Sequence, residues 1–150
     1  MKLIINLLLF LPFFSLADTP TVVQEDLPSG DLLITVKDLK SIDGQVGILI
    51  FNTEKGFPSD RKEAVRDILL PIEQGYLQYT FSNLPYGEYA VSVMHDENEN
   101  NELDVNFFGV PKEGNGVSNN VVNKLGPPKY KKAVFSLDQK SHAIEIQVRY

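Results

Sequence analysis

Apolar and polar residues alternate along several stretches of this chain. Leu32, Ile34 and Val36 alternate with Thr35 and Lys37, as in a strand with one face in the core and the other in water. Residues 45–51 carry apolar side chains on both faces, which is typical of a strand that is covered on both sides. The regular pattern begins at Gly30, where we expect the folded domain to start.

Further runs with the same two-residue period predict four more strands. They contain Leu77, Tyr79 and Phe81; Tyr89, Val91 and Val93; Ala133, Phe135 and Leu137; and Ile144, Ile146, Val148 and Tyr150. The helical signal follows Pro58, where Asp60 stands three residues before Glu63 as in a capping box. It predicts a short turn that ends near Asp67.

These elements predict an all-β fold, an antiparallel β-sandwich of about seven strands with one long polar loop and at most one short helix. A parallel sheet would need crossover helices, and the sequence has no pattern for them. The inward positions of the alternating runs predict a core of Ile34, Val36, Ile48, Ile50, Phe81, Tyr89, Val91, Val93, Phe135, Ile144, Ile146 and Val148.

The N-terminal segment has the features of a secretory signal peptide. Lys2 precedes an apolar-rich stretch, and Ala17 offers a cleavage site ahead of Asp18. The stretch of about 12 residues is shorter than the roughly 20 that a spanning helix needs, so we expect no membrane span after cleavage. We therefore expect export, to the bacterial periplasm or outside the cell. The predicted organisation is a signal peptide at 1–17, a flexible tether at 18–29 and a sandwich domain at 30–150.

Composition narrows the classes of partner and chemistry. The chain has 150 residues, of which 43% are hydrophobic and 23% charged, as in an ordinary globular protein. Its formal net charge of -6 argues against nucleic acid as a partner. Because cysteine is absent, disulfides, thiolate metal sites and cysteine nucleophiles are excluded. The expected partner is an unidentified envelope or extracellular ligand, and the oligomeric state stays open.

A polar loop opens residues 97–132, a segment without clear periodicity. A loop that curls around an ion presents alternate residues inward, and ligands that are all oxygen favour calcium over zinc or copper. The predicted calcium ligands are the side chains of Asp96, Asn98, Asn100, Asp104 and Glu113 and the backbone carbonyl of Glu102. The alternative is a solvated loop whose Asn residues form Asx turns without an ion. Phe107 and Phe108 are expected to pin the segment to the core.

His95 stands where a predicted strand ends and the polar loop begins. A lone histidine in this position is typical of a hydrogen-bonding residue at a strand end. The sequence has no nucleophile elbow, no pair of zinc histidines and no phosphate-binding glycine motif, so we assign no catalytic residues. With Asp96 beside it and Glu113 near, a metal-assisted, hydrolase-like site at His95 is the alternative.

Several separated motifs occur in order along the chain. They are Leu84-Pro85-x-Gly87-x-Tyr89, His95-Asp96-x-Asn98-x-Asn100, Asp104, Gly109-x-Pro111-x-Glu113-Gly114, Ser118-Asn119-Asn120 and Gly126-Pro127-Pro128-x-Tyr130. Together they resemble the bacterial exported family called domain of unknown function 2141, although Asn101 stands where that family usually has glycine in the polar loop. The corner around Tyr89 also looks like the one in prealbumin-like and carboxypeptidase-regulatory-like sandwiches. The resemblance implies a seven-stranded sandwich and brings no known activity.

Three hypotheses for the function follow. The first is a non-enzymatic exported module whose ordered polar loop, stabilised by an ion, forms a recognition or structural surface. The second is a hydrolase-like enzyme that uses a bound ion, with His95 or Glu113 as proton carrier. The third is a purely structural envelope protein. A pocket that joins His95 and Glu113 favours the second, and an exposed aromatic groove counts against the third.

Overall fold

The computed structural model describes residues 27–123 and 126–150, which fold as an all-β sandwich of two sheets. Within those residues the chain forms eight strands, one short helix and two 3-10 turns. The strands are β1 (Ser29–Lys37), β2 (Gln45–Phe51), β3 (Arg66–Pro71), β4 (Leu77–Pro85), β5 (Gly87–Asp96), β6 (Gly114–Val117), β7 (Phe135–Leu137) and β8 (Ser141–Gln147). The helix is α1 (Tyr130–Ala133), and the 3-10 turns are Arg61–Glu63 and Ser118–Asn120. The predicted signal peptide and most of the tether lie outside the described residues.

The first sheet has the order β4-β1-β8, and the second has the order β3-β2-β5-β6, with β7 paired to the first residues of β5. β1 and β8 run parallel, whereas the other strand pairs are antiparallel. The predicted all-β sandwich is confirmed, and among the described strands the β1–β8 pair is the one that is not antiparallel as predicted. No crossover helix is needed there, because most of the domain lies between β1 and β8 and serves as the connection.

The inner faces of the two sheets form the core that the alternation predicts. All predicted core residues are buried except Phe135 and Ile144, which are half-buried and pack against the same cluster. At the corner between β4 and β5, the Tyr89 hydroxyl donates a hydrogen bond of 2.7 Å to the Pro85 carbonyl. This bond fixes the angle at which the chain passes from the first sheet to the second.

The helical signal after Pro58 yields one 3-10 turn, Arg61–Glu63. Asp60 caps it by accepting a hydrogen bond of 3.1 Å from the Lys62 N–H. The turn ends at Glu63 and not near Asp67, because the backbone is extended from Ala64 onward and leads directly into β3. β3 itself was not predicted.

The segment without periodicity, residues 97–132, also contains regular structure. β6 pairs with the end of β5, and Gly114 and Gly116 make up half of this short strand. A Cβ atom at Gly114 would lie 2.5 Å from the ring of Tyr150, so glycine is required for the C-terminal residues to pair beside β6. The run predicted as a strand from Ala133 is divided between the end of α1 and β7.

Phe107 and Phe108 do not pin the polar segment to the core, contrary to the expectation above. Their side chains are 98% and 84% exposed, at the tip of a hairpin that projects from the sandwich. Among the described residues, no helix has the length and apolar character that a membrane crossing requires.

Candidate functional site

The polar loop begins at Asp96, the last residue of β5, whose carboxylate is buried. One oxygen accepts the Asn100 N–H at 3.1 Å, and the other accepts the Asn101 N–H at 2.8 Å and the Gln45 Nε2 at 2.9 Å. Asn101 adopts a φ of 65°, the left-handed conformation that glycine tolerates best and Asn next best. Asp96 therefore acts as the organising acceptor of this turn.

Three predicted ligands meet on the outer side of the loop. The Asn98 side-chain amide donates to one oxygen of Asp104 at 2.8 Å, and that of Asn100 donates to the other at 3.2 Å. The amide oxygens of Asn98 and Asn100 accept the backbone N–H groups of Asn100 and Glu102. The Asp104 carboxylate is thus the charge on which the two amides converge.

Glu113 is buried and clamps the two ends of the loop together. Its carboxylate accepts the Glu97 N–H at 2.9 Å and the Asp104 N–H at 3.0 Å. Hydrogen bonds from backbone amides to an ionised carboxylate are stronger than those between neutral groups. Glu113 therefore ties the two ends of the loop to each other.

The structure brings some of the predicted calcium ligands together and separates others. Asn98, Asn100 and Asp104 touch one another, whereas Asp96 and Glu113 direct their carboxylates at backbone amides. Glu102 is exposed. In residues 27–123 and 126–150, no three His, Asp or Glu side chains converge as a metal-binding group would.

His95 is fully buried, and both of its ring nitrogens have partners inside the protein. Nε2 lies 2.8 Å from the carbonyl of Asp43, which can only accept, so Nε2 carries the proton. In the neutral ring Nδ1 then accepts the hydroxyl proton of Tyr150 at 2.5 Å. Neither nitrogen is available to a substrate in this arrangement.

Tyr150 joins three segments that are far apart in the sequence. Its hydroxyl accepts the Lys40 N–H at 3.1 Å, and the Lys40 ammonium lies 4.4 Å from the centre of its ring. The same ammonium pairs with the Glu97 carboxylate at 2.7 Å. Burial raises the pKa of the Tyr150 phenol, so this group remains a proton donor at neutral pH. The sequence offered no signal for this cluster, because contacts between residues 55 to 110 positions apart leave no local pattern.

A cleft of about 960 Å³ lies over the outer face of the second sheet, beside the polar loop. Its floor includes Gly47 and Leu49 of β2 and Ser92 and Met94 of β5. One wall is formed by residues 101–103 of the polar loop, and neither His95 nor Glu113 lines the cleft. The apolar residues on both faces of β2 predicted that the outer face of this strand is covered. An open cleft forms part of that cover, and the apolar pattern did not predict it.

Comparison with known proteins identifies a family for this chain. A family model described as "Uncharacterized protein conserved in bacteria (DUF2141)" matches residues 34–145, well over half of the chain. No curated protein and no solved structure gives a significant match, so the likeness to prealbumin-like sandwiches stays a prediction. The matched range contains the sandwich from β1 into β8 together with the whole polar loop. The chain belongs to the DUF2141 family of bacterial proteins.

Proposed function

We propose that the protein is an exported, non-enzymatic binding module in which the polar loop binds calcium and forms one wall of a ligand cleft. The observation that carries this proposal is the position of residues 101–103, which belong to the loop and also line the cleft. Any ion that orders the loop therefore orders the cleft wall. Loops that stay ordered without regular structure are commonly functional.

The cleft has the general features of a small-molecule site. Its volume of about 960 Å³ falls within the range of natural ligand pockets. The floor supplies the apolar side chains of Leu49 and Met94, and the rim supplies amides such as Asn101 and Asn115. Such a lining suits a ligand that is mainly apolar and carries a few hydrogen-bonding groups.

Calcium is supported by the convergence of two amides on Asp104. Turning the side-chain amides of Asn98 and Asn100 so that their oxygens join the carboxylate would create an all-oxygen set, and those oxygens would then give up the hydrogen bonds that they accept from the Asn100 and Glu102 N–H groups. Because Asp96 and Glu113 already hold backbone amides, few negative charges are left for the ion. We therefore place the dissociation constant near those of extracellular modules, roughly 10⁻⁴ to 10⁻³ M.

The hydrolase-like alternative has less support. A proton carrier must reach the reacting group directly or through one water. His95 is buried with both nitrogens bonded, and Glu113 is buried with each carboxylate oxygen on a backbone N–H. We therefore assign these two residues a structural role in holding the polar loop.

The calcium proposal predicts a stability shift that depends on Asp104. Calcium at about 10 mM, roughly 10 to 100 times this dissociation constant, should stabilise the native protein by about 1.4–2.7 kcal/mol. Asp104→Asn should remove most of this shift, because it removes the charge on which the amides converge. The measurement is thermal unfolding in calcium and in chelator, with titration calorimetry for the binding heat.

Asp138→Asn is the matched control, since Asp138 is an exposed residue of the turn between β7 and β8. It should keep the full calcium shift. In the native protein the amide resonances of Asn101 and Leu103 should move on calcium addition, since both line the cleft. Absence of any shift or binding heat up to about 10 mM calcium would exclude the ion site, because that concentration exceeds the affinities of such modules.

Export predicts a defined N-terminus. When the full chain is expressed in a bacterium, mass spectrometry of the envelope fraction should find Asp18 as the first residue, because Ala17 ends the predicted leader. Replacing Leu7, Leu8 and Leu9 with Asp should block cleavage and leave the chain in the cytoplasm, because it interrupts the apolar stretch. An uncleaved native chain in the cytoplasmic fraction would contradict export.

A further inference from the structure

The outer face of the second sheet changes from apolar to polar across its strands. Residues that stand directly opposite each other on neighbouring strands lie on the same face of a sheet. One row of such partners crosses the floor of the cleft and consists of Leu69, Gly47, Met94, Asn115 and Arg149. The row therefore begins with apolar side chains at β3 and ends with a guanidinium beside β6.

The apolar part of this row is continuous because its second residue is glycine. A Cβ atom at Gly47 would lie 2.8 Å from Cε of Met94 and 3.3 Å from Cδ2 of Leu69. These two side chains thus close over the Gly47 backbone, and both are half-buried, as is Leu49 of the same strand. A ligand that covers them removes further apolar surface from water, which favours binding.

Arg149, at the other end of the row, has no acidic partner among the described residues. Its Nη1 donates to the Asn120 carbonyl at 3.4 Å. A guanidinium has five N–H groups in a planar fork, so this one bond leaves donors that can hold both oxygens of a carboxylate. The basic residues with ion pairs in the described part of the chain are Lys37, Lys40, Lys55 and Arg61.

The cleft is also less acidic than the chain as a whole. Acidic residues outnumber basic ones by 20 to 14 in the sequence. The charged residues that line the cleft are the basic Arg61, Lys62 and Arg149 and the acidic Asp60 and Glu102. Arg61 is paired with Asp67, and Lys62 belongs to the 3-10 turn before β3, at the opposite side of the sheet from β6. Charge complementarity therefore favours a ligand with one anionic group beside Arg149.

We propose that the cleft binds an aliphatic carboxylate, of the fatty-acid class, whose chain covers Leu69 and Met94 and whose carboxylate is held by Arg149. The inference rests on the proposed function, since it names the ligand class of the same cleft. A neutral apolar ligand would leave the guanidinium without an anion. An acidic peptide would place its backbone amides against the apolar part of the row, where they find no hydrogen-bond partner.

Decanoate and 1-decanol test the charge selection, because they share a chain length and differ in the anionic group. Both are titrated into the full mature protein in calcium, below the concentrations at which they aggregate, and the binding heat is measured by calorimetry. Decanoate should bind at least about tenfold more tightly, since hydrogen bonds to charged groups are the stronger ones. The backbone amide resonances of Leu49 and Met94 should move with both compounds, because these residues form the floor.

Arg149→Gln should weaken decanoate binding by about tenfold and leave decanol binding unchanged. Glutamine keeps a polar side chain and the backbone pairing with Asn115, and it loses the charge. Arg66→Gln is the matched control. The exposed Arg66 guanidinium also donates to a backbone carbonyl, that of Val65 at 2.9 Å, and lies outside the cleft lining, so this variant should keep the native preference. Circular dichroism checks that both variants fold.

The inference is overturned if the native protein binds the two compounds equally, or if Arg149→Gln keeps the preference for decanoate. Loss of the preference in Lys62→Gln in place of Arg149→Gln would also overturn it, because the carboxylate would then lie at the other side of the cleft. In these cases decanol that moves the Leu49 and Met94 resonances leaves the ligand cleft of the proposed function in place.

If neither compound moves these resonances, the ligand class is wrong and the inference is overturned. The calcium shift is measured without either compound. Loss of that shift while decanoate still binds at Arg149 would contradict the calcium site of the proposed function and leave the present inference standing.

Discussion

Ile48→Ala is expected to lower the free energy of unfolding by about 2–5 kcal/mol, because it removes buried methyl groups and leaves a cavity in the core. Ile48 is fully buried in the middle of β2. It stands opposite Ile68 of β3 and Val93 of β5, and its side chain faces the first sheet. Its neighbours are held by strands on both sides, so the core cannot easily close the space. Urea denaturation followed by circular dichroism measures the loss.

Ile42→Ala is the matched control for this core prediction. Ile42 is 59% exposed in the connection between β1 and β2, so the same chemical change occurs there without a cavity. We expect a change within about 0.5 kcal/mol. Equal effects at the two positions would show that Ile48 does not lie in a packed core and would contradict the sandwich.

The strands that could be predicted carry a regular apolar pattern. β1 and β8 alternate because one face packs in the core and the other does not. β5 is buried on both faces, and its larger core side chains alternate with smaller residues such as Ala90, which packs in a second buried cluster. β3 and β6 lack this signal for two different reasons. β3 lies at the edge of the second sheet and has no fully buried residue, while β6 has two glycines, which carry no side chain for the pattern.

The spacing of residues in the polar loop correctly predicted some of the side-chain contacts and not others. Asn98, Asn100 and Asp104 meet as expected from their alternate positions. Asp96 turns away from them, because the N–H groups of the tight turn that follows compete for its carboxylate. A sequence shows the oxygens that are available to an ion, and it does not show how many of them the backbone itself will use.

The contacts behind the polar loop join residues that are far apart in the sequence, so the sequence pattern could not predict them. Tyr150 reaches His95 because β8 lies beside β1 and the residues after β8 pair with β6 next to Gly114. The cleft depends on the same packing, since loops from distant parts of the chain surround the second sheet. Phe107 and Phe108 were predicted wrongly for a different reason. Hydrophobicity alone placed them in the core, whereas the hairpin turn exposes them.

Asp96→Ala is expected to lower the free energy of unfolding by about 2–4 kcal/mol and to release the polar loop, even in chelator. The substitution removes a buried acceptor that receives three N–H groups, from Asn100, Asn101 and Gln45. Hydrogen bonds to a charged group contribute about 1.5–3 kcal/mol each, and water recovers part of this at the exposed Asn residues. The loss is also expected to reach Gly44, which packs against the Asp96 carbonyl.

Urea denaturation gives the change in stability for Asp96→Ala, and hydrogen exchange locates it. The amides of Asn100 and Asn101 should lose their protection, whereas those of Ile48 and Val93, which lie in strands of the second sheet, should keep the protection that the remaining global stability allows. Asp138→Ala removes a carboxylate from an exposed turn and should change stability by no more than about 0.5 kcal/mol. If Asp96→Ala behaves like Asp138→Ala in both measurements, the Asp96 carboxylate does not organise the loop, and the frame proposed for the cleft wall is wrong.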